Sequence, residues 1–458
     1  TFAQIVASLF FTILKPMPSQ SLYLSPRFFY ILGGICFLFI ISFSQNWLFP
    51  VTKIALFVLV GVFLLDGILL YATEEGIFAQ RQLAEKLSNG DVNTITIEIQ
   101  NRYPFKVHIG VIDEIPAQFQ IRNFWVERWL LPQENHNLCY QLRPVERGEY
   151  VFGAVNVYVS ANFGLVRRRY TFNQQHAVPV YPSYLQMRKY EFLAISDRLT
   201  EVGIKKVRRL GNSFEFEQIK EYVQGDDIRT INWRATARKN QLMVNHYQEE
   251  KSQQVYSLID KGRVMQMPFE KLSLLDYAIN ATLVMSNIAM LKSDKAGLMS
   301  FSTQLDTFLP AQRGKPAMRQ ILEALYKEQT DFEETDFEHI YIAVKKHIKR
   351  RSLLMLYTNF ETYSAMERQL KHLQGLAKQH VLVVVFFENT EISQLLQASP
   401  QSVEEIYQKA IAEKFVLEKK MIVKELRKFG IYSILTKPQN LTVEVINQYL
   451  ALKARGVI

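Results

Sequence analysis

The sequence predicts a two-helix transmembrane hairpin, then a small antiparallel β-sandwich, and then a doubly wound α/β domain. Three observations support this fold class: two long apolar runs near the N-terminus, a middle region that alternates apolar and polar residues, and a C-terminal half in which apolar strands alternate with amphipathic helices. The predicted parts are an N-terminal segment (1–27), the hairpin (28–73), the β-sandwich (88–182), a linker (183–252) and the α/β domain (253–458).

Composition narrows the class of protein. At roughly 100–200 residues per domain, the 458 residues allow two to four domains, and 48% hydrophobic with 21% charged residues exclude a disordered chain. The net charge of +10 is modest for this length and does not indicate a nucleic-acid partner. Two cysteines, Cys36 and Cys139, exclude a disulfide framework and a cysteine-built metal site.

The N-terminal region contains the predicted hairpin. Residues 28–43 carry no charge, and residues 54–72 carry only Asp66. About 20 helical residues cross a hydrocarbon core of about 30 Å, so both runs are long enough once flanking residues are included. The alternative is a secretory signal followed by a buried helix. A signal has a short apolar region and is removed, so two long runs favour permanent anchoring in lipid.

Flanking cations predict the orientation of the hairpin. Lys15 and Arg27 precede the first helix, Arg81 and Lys86 follow the second, and the turn offers only Lys53. Under the positive-inside tendency, the N-terminus and the large C-terminal part are both cytoplasmic.

Asp66 lies about two turns before the end of the second predicted helix. A carboxylate inside a membrane is costly, so it is a functional candidate by default. We favour a simpler interpretation, in which Asp66 accepts a hydrogen bond from the neighbouring helix or from interfacial water.

Strands of period two follow the hairpin. The segment Asn93–Asn101 alternates apolar and polar residues, which is typical of a half-buried antiparallel strand. Similar short segments, separated by turn residues, predict a β-sandwich. These segments are 107–111, 138–142, 155–159, 169–172 and 177–181.

Beyond residue 253 the pattern changes to strand, helix, strand. Val255–Asp260 is an apolar strand that ends in a carboxylate, and an amphipathic helix follows at about 270–292. The runs 297–301 and 305–309 predict a hairpin at a sheet edge. Further apolar runs at 352–357, 381–387 and 431–435 lie between predicted helices and indicate a mainly parallel sheet, whose ligands gather at the carboxyl ends of the strands.

The most distinctive segment lies at 214–238. It contains Lys220-Glu221-Tyr222, Gly225-Asp226-Asp227 and Ile231-Asn232-Trp233-Arg234-Ala235-Thr236-Ala237-Arg238. This segment resembles the signature of the bacterial DUF-58 family (domain of unknown function 58), with Lys220 and Arg234 in place of the more usual Arg and Lys. Three further short motifs resemble motifs of the same family: Arg147-Gly148-Glu149-Tyr150, Asn162-Phe163-Gly164-Leu165 and Val180-Tyr181-Pro182.

Residue chemistry in the signature leaves two interpretations open. Gly225 permits a tight turn, Asp226 and Asp227 can accept backbone N–H bonds, and the arginines can pair with them. Either the segment binds a phosphate or a partner, or it is a self-satisfied ion-pair network that locks the β-domain to the α/β domain; we favour the second. The candidate residues are Tyr222, Gly225, Asp226, Asp227, Arg229, Asn232, Trp233, Arg234 and Arg238.

The resemblance also implies an α/β domain similar to the von Willebrand factor A type. In intact versions, an Asp-x-Ser-x-Ser loop, a Thr and a later Asp hold a divalent cation. Here the loop places Gly262 and Val264 where the serines would stand, and Asn359 where an acidic residue is expected. We predict that this ion site is lost, that no metal or other cofactor is bound, and that Asp260 pairs with Lys261 or with a helix N-terminus.

No catalytic motif appears in the sequence. Arg313–Pro316 lacks the upstream glycine and the Ser/Thr of a phosphate-binding loop, and neither a nucleophile elbow nor a paired-His zinc motif is present. The resemblance implies a non-enzymatic adaptor in the bacterial inner membrane that binds a MoxR-type AAA+ ATPase and other envelope proteins. We expect membrane lipid as a further partner, no nucleic acid and no small-molecule substrate. The protein-binding face is predicted around Asp260, Gly262, Ser302 and Asn359. The alternative is an enzyme with a site at Asp226–Arg238 that acts on a phosphate-bearing substrate.

Overall fold

The computed structural model forms two compact units, Thr1–Tyr181 and Pro182–Ile458. The residues that the structure describes are 21–45, 47–173, 175–195, 203–204, 214–224, 226, 228–249, 252–330, 332–397 and 402–458.

Two apolar helices, α1 (Pro26–Ser42) and α2 (Leu48–Tyr71), lie near the N-terminus. At 1.5 Å per residue, α2 is about 36 Å long and α1 about 26 Å, so α2 alone exceeds a hydrocarbon core of about 30 Å. Only 17% of the apolar window of α2 is buried. Pro50 lies in the first turn of α2, where its missing N–H has no intrahelical partner to lose.

The rest of the first unit is built from β-strands in three sheets, ordered β1-β10-β9-β5-β6, β2-β4-β7 and β3-β11-β8. Inward-facing apolar residues of the first two sheets share one core, as in a sandwich. The strands are β1 (Leu22–Leu24), β2 (Ile77–Gln82), β3 (Leu87–Ser88), β4 (Asn93–Asn101), β5 (Val107–Asp113), β6 (Val126–Leu130), β7 (Asn135–Leu142), β8 (Gly148–Phe152), β9 (Val155–Ser160), β10 (Val166–Phe172) and β11 (His176–Tyr181).

The sheets include residues outside the predicted range 88–182. β2 pairs antiparallel with β4, and β1, which precedes the apolar helices, pairs antiparallel with β10. β1 has only three residues, too few for a period-two pattern to be recognised in the sequence.

The second unit begins with helices and strands within the range 183–252, which was predicted to be a linker. Helix α3 (Tyr184–Ile195) is followed by β12 (Phe214–Glu221), α4 (Trp233–Lys239) and β13 (Met243–Glu249), and β12 pairs antiparallel with β13. The backbone N–H of Ser183 donates to Oδ1 of Asn280 at 2.9 Å, which ties the start of this region to the α/β part.

The α/β part has a six-stranded sheet of order β18-β17-β14-β19-β20-β21, parallel except for the predicted edge hairpin β17–β18. The order reverses between β14 and β19, where ligands of such sheets bind. The strands are β14 (Gln254–Asp260), β15 (Pro268–Phe269), β16 (Leu272–Ser273), β17 (Lys295–Phe301), β18 (Leu305–Gln312), β19 (Leu353–Tyr357), β20 (Val381–Phe387) and β21 (Tyr432–Thr436).

Helices cover both faces of this sheet. They are α5 (Leu274–Leu291), α6 (Lys315–Lys327), α7 (Phe337–His347), α8 (Tyr363–Gln379), α9 (Thr390–Gln397), α10 (Val403–Lys428) and α11 (Leu441–Ala454). Helix α5 is apolar and long enough to pass as a membrane span, but 78% of it is buried. It is therefore the central core helix of this unit.

Candidate functional site

Asp260 lies at the carboxyl end of β14, beside the point where the strand order reverses, and is fully buried. Its Oδ1 accepts the backbone N–H of Gly262 at 2.8 Å and the hydroxyl of Thr335 at 2.5 Å. Its Oδ2 accepts the hydroxyl of Thr358 at 2.6 Å. Burial raises the pKa of Asp260, and these three hydrogen bonds only partly oppose that rise.

Gly262 leaves the space that Thr335 fills. A Cβ at position 262 would lie 2.0 Å from Oγ1 of Thr335, so the two side chains cannot coexist in this geometry. The threonine hydroxyl thus contacts Asp260 directly. Neither Thr335 nor Thr358 was identified from the sequence. Their positions could have indicated a role, because Thr335 lies just before α7 and Thr358 directly follows β19.

The expected pairing of Asp260 with Lys261 is wrong. Nζ of Lys261 lies 2.9 Å from Oδ2 of Asp306 and 3.3 Å from Oε2 of Glu328. The alternation of side chains along extended backbone sends neighbours to opposite sides, so Lys261 faces away from Asp260. The backbone N–H that Asp260 accepts belongs to Gly262, which caps the short 3₁₀-helix Arg263–Met265, so the alternative partner, a helix N-terminus, is confirmed in part.

These residues do not suit a divalent cation. Hard cations need several oxygen ligands, whereas Asp260 is a single carboxylate whose oxygens already accept three hydrogen bonds. Val264 has no ligand atom in its side chain, and the amide oxygen of Asn359 accepts a hydrogen bond from Lys419 at 2.8 Å. Within the described ranges, no group of three or more His, Cys, Asp or Glu could hold a metal.

The predicted protein-binding face around Asp260 is not an exposed surface. Asp260, Gly262, Ser302 and Asn359 are all buried. Asp260 and Asn359 border a small cavity of about 150 Å³, which also contacts Val264. The loop that contains Thr335 contacts Asp260 and contributes to its burial. A protein-binding face in this region stays a prediction.

In the signature segment, Asp226 is bonded to its own hairpin. Nζ of Lys220 lies 2.9 Å from Oδ1 of Asp226, and Oδ2 accepts the backbone N–H of Val223 at 3.0 Å. The backbone N–H of Tyr222 donates to the carbonyl of Leu242 at 2.8 Å and joins the two strands of the hairpin. Gly225 and Asp227 lie outside the described residues, as does the side chain of Arg229.

Asn232 shapes the second half of the signature. Its Oδ1 accepts the backbone N–H of Ala235 at 3.0 Å and so caps α4, while its Nδ2 donates to Oδ1 of Asn245 on β13 at 2.8 Å. This capping role was missed, although Asn directly before the first residue of a helix is its usual signal.

The capped helix presents an aromatic and basic surface. Trp233 is 69% exposed, and Arg234 and Arg238 are exposed as well. Among the residues with described side chains, Lys220 and Asp226 form an ion pair within the segment, whereas α4 points Arg234 and Arg238 to solvent and neither forms one. Because Asp227 and the side chain of Arg229 lie outside the described residues, the favoured ion-pair network as a whole stays a prediction.

Comparison with known proteins relates part of this chain, including most of the signature segment, to a protein family. Residues 218–397 match the family model described as "Protein of unknown function DUF58". The chain is also 25% identical to "Uncharacterized protein YeaD" of Bacillus subtilis (strain 168) over 256 residues, which are 54% of this chain and 61% of that protein. Both findings support the DUF58 resemblance of the signature.

Two solved structures that this chain resembles each match about a quarter of it. Native alpha-2-macroglobulin from Escherichia coli matches 23% of this chain and 16% of its own, with 15% identity and a TM-score of 0.19. The PapD-like domain of human CEP192 matches 24% of this chain and 87% of its own, with 11% identity and a TM-score of 0.18. Similarity this low carries no argument about fold.

The DUF58 match begins at residue 218, within β12 and well after the apolar helices, and covers the rest of the signature hairpin, the Asp260 loop and Asn359. In the first unit, Asp66 of α2 is fully buried, and its Oδ2 accepts the backbone N–H groups of Leu165 at 2.9 Å and Val166 at 3.0 Å. Neither N–H group belongs to the neighbouring helix, so that expected partner is wrong. Gly164 has φ +66°, and this turn aims both N–H groups at the carboxylate.

Arg168 holds the end of the same helix. Its guanidinium donates to the carbonyls of Leu70 and Thr73, both at 2.7 Å, and to that of Glu74 at 2.9 Å. The helix end leaves these carbonyls without intrahelical partners, and a cation there also suits the helix dipole. Sequence reasoning missed this role, because a run of three arginines resembles a solvated face.

Arg81 also differs from its predicted role. Counted among the flanking cations, it is buried in the sandwich, where it forms an ion pair with Asp113 and donates to the carbonyl of Gly153 at 2.8 Å. A paired, buried charge is a weak guide to membrane orientation, so the orientation depends on the other cations.

Proposed function

We propose that this chain is a non-enzymatic, membrane-anchored adaptor that binds protein partners through the exposed surface of α4. The observation that carries the proposal is Trp233, 69% exposed and flanked by the exposed Arg234 and Arg238. Tryptophan and arginine are the residue types enriched at the energetic centres of protein interfaces. An isolated tryptophan so exposed, held on a capped helix, is suited to burial against a partner.

The partner we propose is a MoxR-type AAA+ ATPase, with other envelope proteins as further partners, as the DUF58 resemblance implies. The ATPase would supply the nucleotide chemistry. The strand order of the α/β sheet is compatible with a von Willebrand factor A-like domain whose cation-binding loop has degenerated.

The non-enzymatic part of the proposal is supported by the state of the carboxylates. Asp260 is satisfied by hydroxyls, and Asp226 pairs with Lys220 within its hairpin. A catalytic acid or base needs a carboxylate free to exchange a proton with a substrate. The alternative enzyme site at Asp226–Arg238 thus has less support.

Anchoring in the bacterial inner membrane is supported by α1 and α2, whose apolar side chains are largely exposed. Lipid would cover these side chains and remove the cost of exposing them to water. We propose that both the N-terminus and the large C-terminal part are cytoplasmic, where an ATPase would reach α4.

Affinity measurement tests the adaptor proposal. The tagged full chain, purified in lipid nanodiscs, is titrated with a MoxR-type ATPase from the same genome, in the presence of ATP, a non-hydrolysable analogue or ADP. Trp233→Ala should weaken binding by about tenfold or more. Tyr407→Ala is the matched control, because Tyr407 is also 69% exposed but lies on α10. Absence of binding in every nucleotide state, with a folded chain, would refute the proposal.

A further inference from the structure

A cleft of about 630 Å³ opens at the carboxyl end of the α/β sheet, beside α9 and α10. Its volume falls within the roughly 300–1,000 Å³ of small-molecule sites, and its place at the strand ends is where ligands of such sheets bind. The walls are mostly apolar and include Met267, Phe269, Phe387, Ile392, Phe415 and Leu435.

Lys419 is the cation within this cleft that is best positioned for a ligand. Its Nζ donates to Oδ1 of Asn359 at 2.8 Å and to the carbonyl of Phe360, and lies 5.6 Å from the ring centroid of Phe386. An ammonium has three N–H donors, so the protein uses two of them. Both acceptors are neutral, and within the described residues Lys419 has no carboxylate in salt-bridge contact.

The surroundings leave this charge poorly compensated. Burial lowers the pKa of Lys419 to about 8, and the negative charge of Glu361 partly opposes this shift. Glu361 and Glu391 are exposed at the rim of the cleft, Glu388 is half-buried, and Lys420 is exposed. A bound anion stabilises a desolvated cation with neutral partners more than it stabilises a cation that is already paired with a carboxylate.

We propose that the cleft binds a small monocarboxylate with an aromatic or aliphatic body, whose carboxylate accepts the third N–H of Lys419. The apolar walls contact the body of the ligand, and the three glutamates near the rim disfavour a second negative charge. The ligand is a bound effector rather than a substrate, so the inference goes beyond the adaptor function and does not depend on it.

Isothermal titration of the full chain in lipid nanodiscs tests this site, with empty nanodiscs subtracted. The probe is 3-phenylpropionate. The neutral 3-phenylpropanol and the dicarboxylate phenylsuccinate serve as comparisons. We expect saturable binding of 3-phenylpropionate, about tenfold tighter than that of either comparison, because only the monocarboxylate forms a charge-assisted hydrogen bond without added repulsion.

Two variants locate the binding. Lys419→Met keeps the length and apolar stem but removes the charge, and should weaken 3-phenylpropionate about tenfold. Lys424→Met, on an exposed part of α10 outside the cleft, is the matched control. If Lys419→Met does not fold, Met267→Trp is measured instead. The larger side chain fills the cleft and leaves Lys419 in place, so it should also weaken binding of 3-phenylpropionate. Equal binding of acid and alcohol, unchanged binding in these variants, or no binding at all would overturn the proposal.

Discussion

Oδ2 of Asp66 accepts the backbone N–H of Leu165 at 2.9 Å, and so joins an apolar helix to the turn that precedes β10. The neighbouring N–H of Val166 shares this acceptor at 3.0 Å. The apolar side chain of Leu165 is itself buried in a cluster with Ile35 of α1 and Leu59 of α2. The turn therefore contacts the helix pair through polar and apolar groups together.

Replacing Asp66 tests this junction. Asp66→Ala leaves two buried N–H groups without an acceptor, at a cost of about 1–3 kcal/mol for each group. We expect a lower melting temperature in detergent and faster proteolysis near residues 162–166. Asp66→Asn keeps one amide oxygen and should lose less stability. If Asp66→Ala melts like the parent protein, the hydrogen bonds do not stabilise the junction.

Arg168 offers a second test at the same helix. Arg168→Ala removes this donor from the carbonyls of Thr73 and Glu74, while the carbonyl of Leu70 still accepts the hydroxyl of Tyr103 at 2.8 Å. The change also removes a cation that is worth about 0.3–2 kcal/mol at a helix C-terminus. Arg168→Lys keeps the charge but not the planar fork. We expect Lys to rescue only part of the loss of unfolding free energy measured by chemical denaturation.

Arg169→Ala is the matched control for that measurement, since Arg169 is the next residue of β10 and contacts the ring of Tyr23 instead. If Arg169→Ala loses as much unfolding free energy as Arg168→Ala, the loss comes from removing a positive charge from β10 and not from the contact with the helix end.

Regular segments of this fold are well predicted by periodicity. The strand Asn93–Asn101 is confirmed residue for residue, and the edge hairpin β17–β18 is confirmed as antiparallel. Both segments bury one face or both over many residues, so the pattern is long enough to recognise. Helix α3 was missed because its apolar side chains do not form a clear stripe.

Partners of single polar side chains could not be predicted. Asp66 bonds to residues about a hundred positions away, and Asp260 to Thr335 and Thr358 at comparable separations. A sequence shows which groups need a partner, but only the fold brings donor and acceptor together. The degenerate cation loop illustrates this. The sequence shows that the two serines are missing, but only the fold shows that the hydroxyl of Thr335 contacts Asp260.

His380 predicts a pH dependence of stability. It is buried at the end of α8, neither ring nitrogen has a hydrogen-bond partner in the described part of the chain, and burial lowers its pKa. Because the unfolded chain takes up this proton first, stability is retained above the unfolded pKa of about 6.5 and falls as the pH drops below it, by at most about 1.4 kcal/mol per pH unit.

His380→Leu should flatten that slope between pH 6.5 and 5 in denaturant titrations. His176→Leu, at an exposed position of β11, is the control. An unchanged slope in His380→Leu would assign the acid sensitivity to other groups.

Gly262 provides the sharpest test of the degenerate cation loop. Gly262→Ser restores one residue of the intact pattern, but its Cβ would lie 2.0 Å from Oγ1 of Thr335. We expect a loss of about 1–3 kcal/mol, as for other overpacked sites, and no rise in melting temperature with Mg²⁺. Thr335→Gly in the same chain removes the clash, so the double variant should lose less than the sum of the two single losses. Gly153→Ser controls for the effect of placing a serine at a crowded glycine. Gly153 lies in the first unit, away from the cation loop, and its added Cβ would meet the side chain of Glu114. Stabilisation of Gly262→Ser by Mg²⁺ would instead show that this loop still forms a cation site once a single hydroxyl is returned.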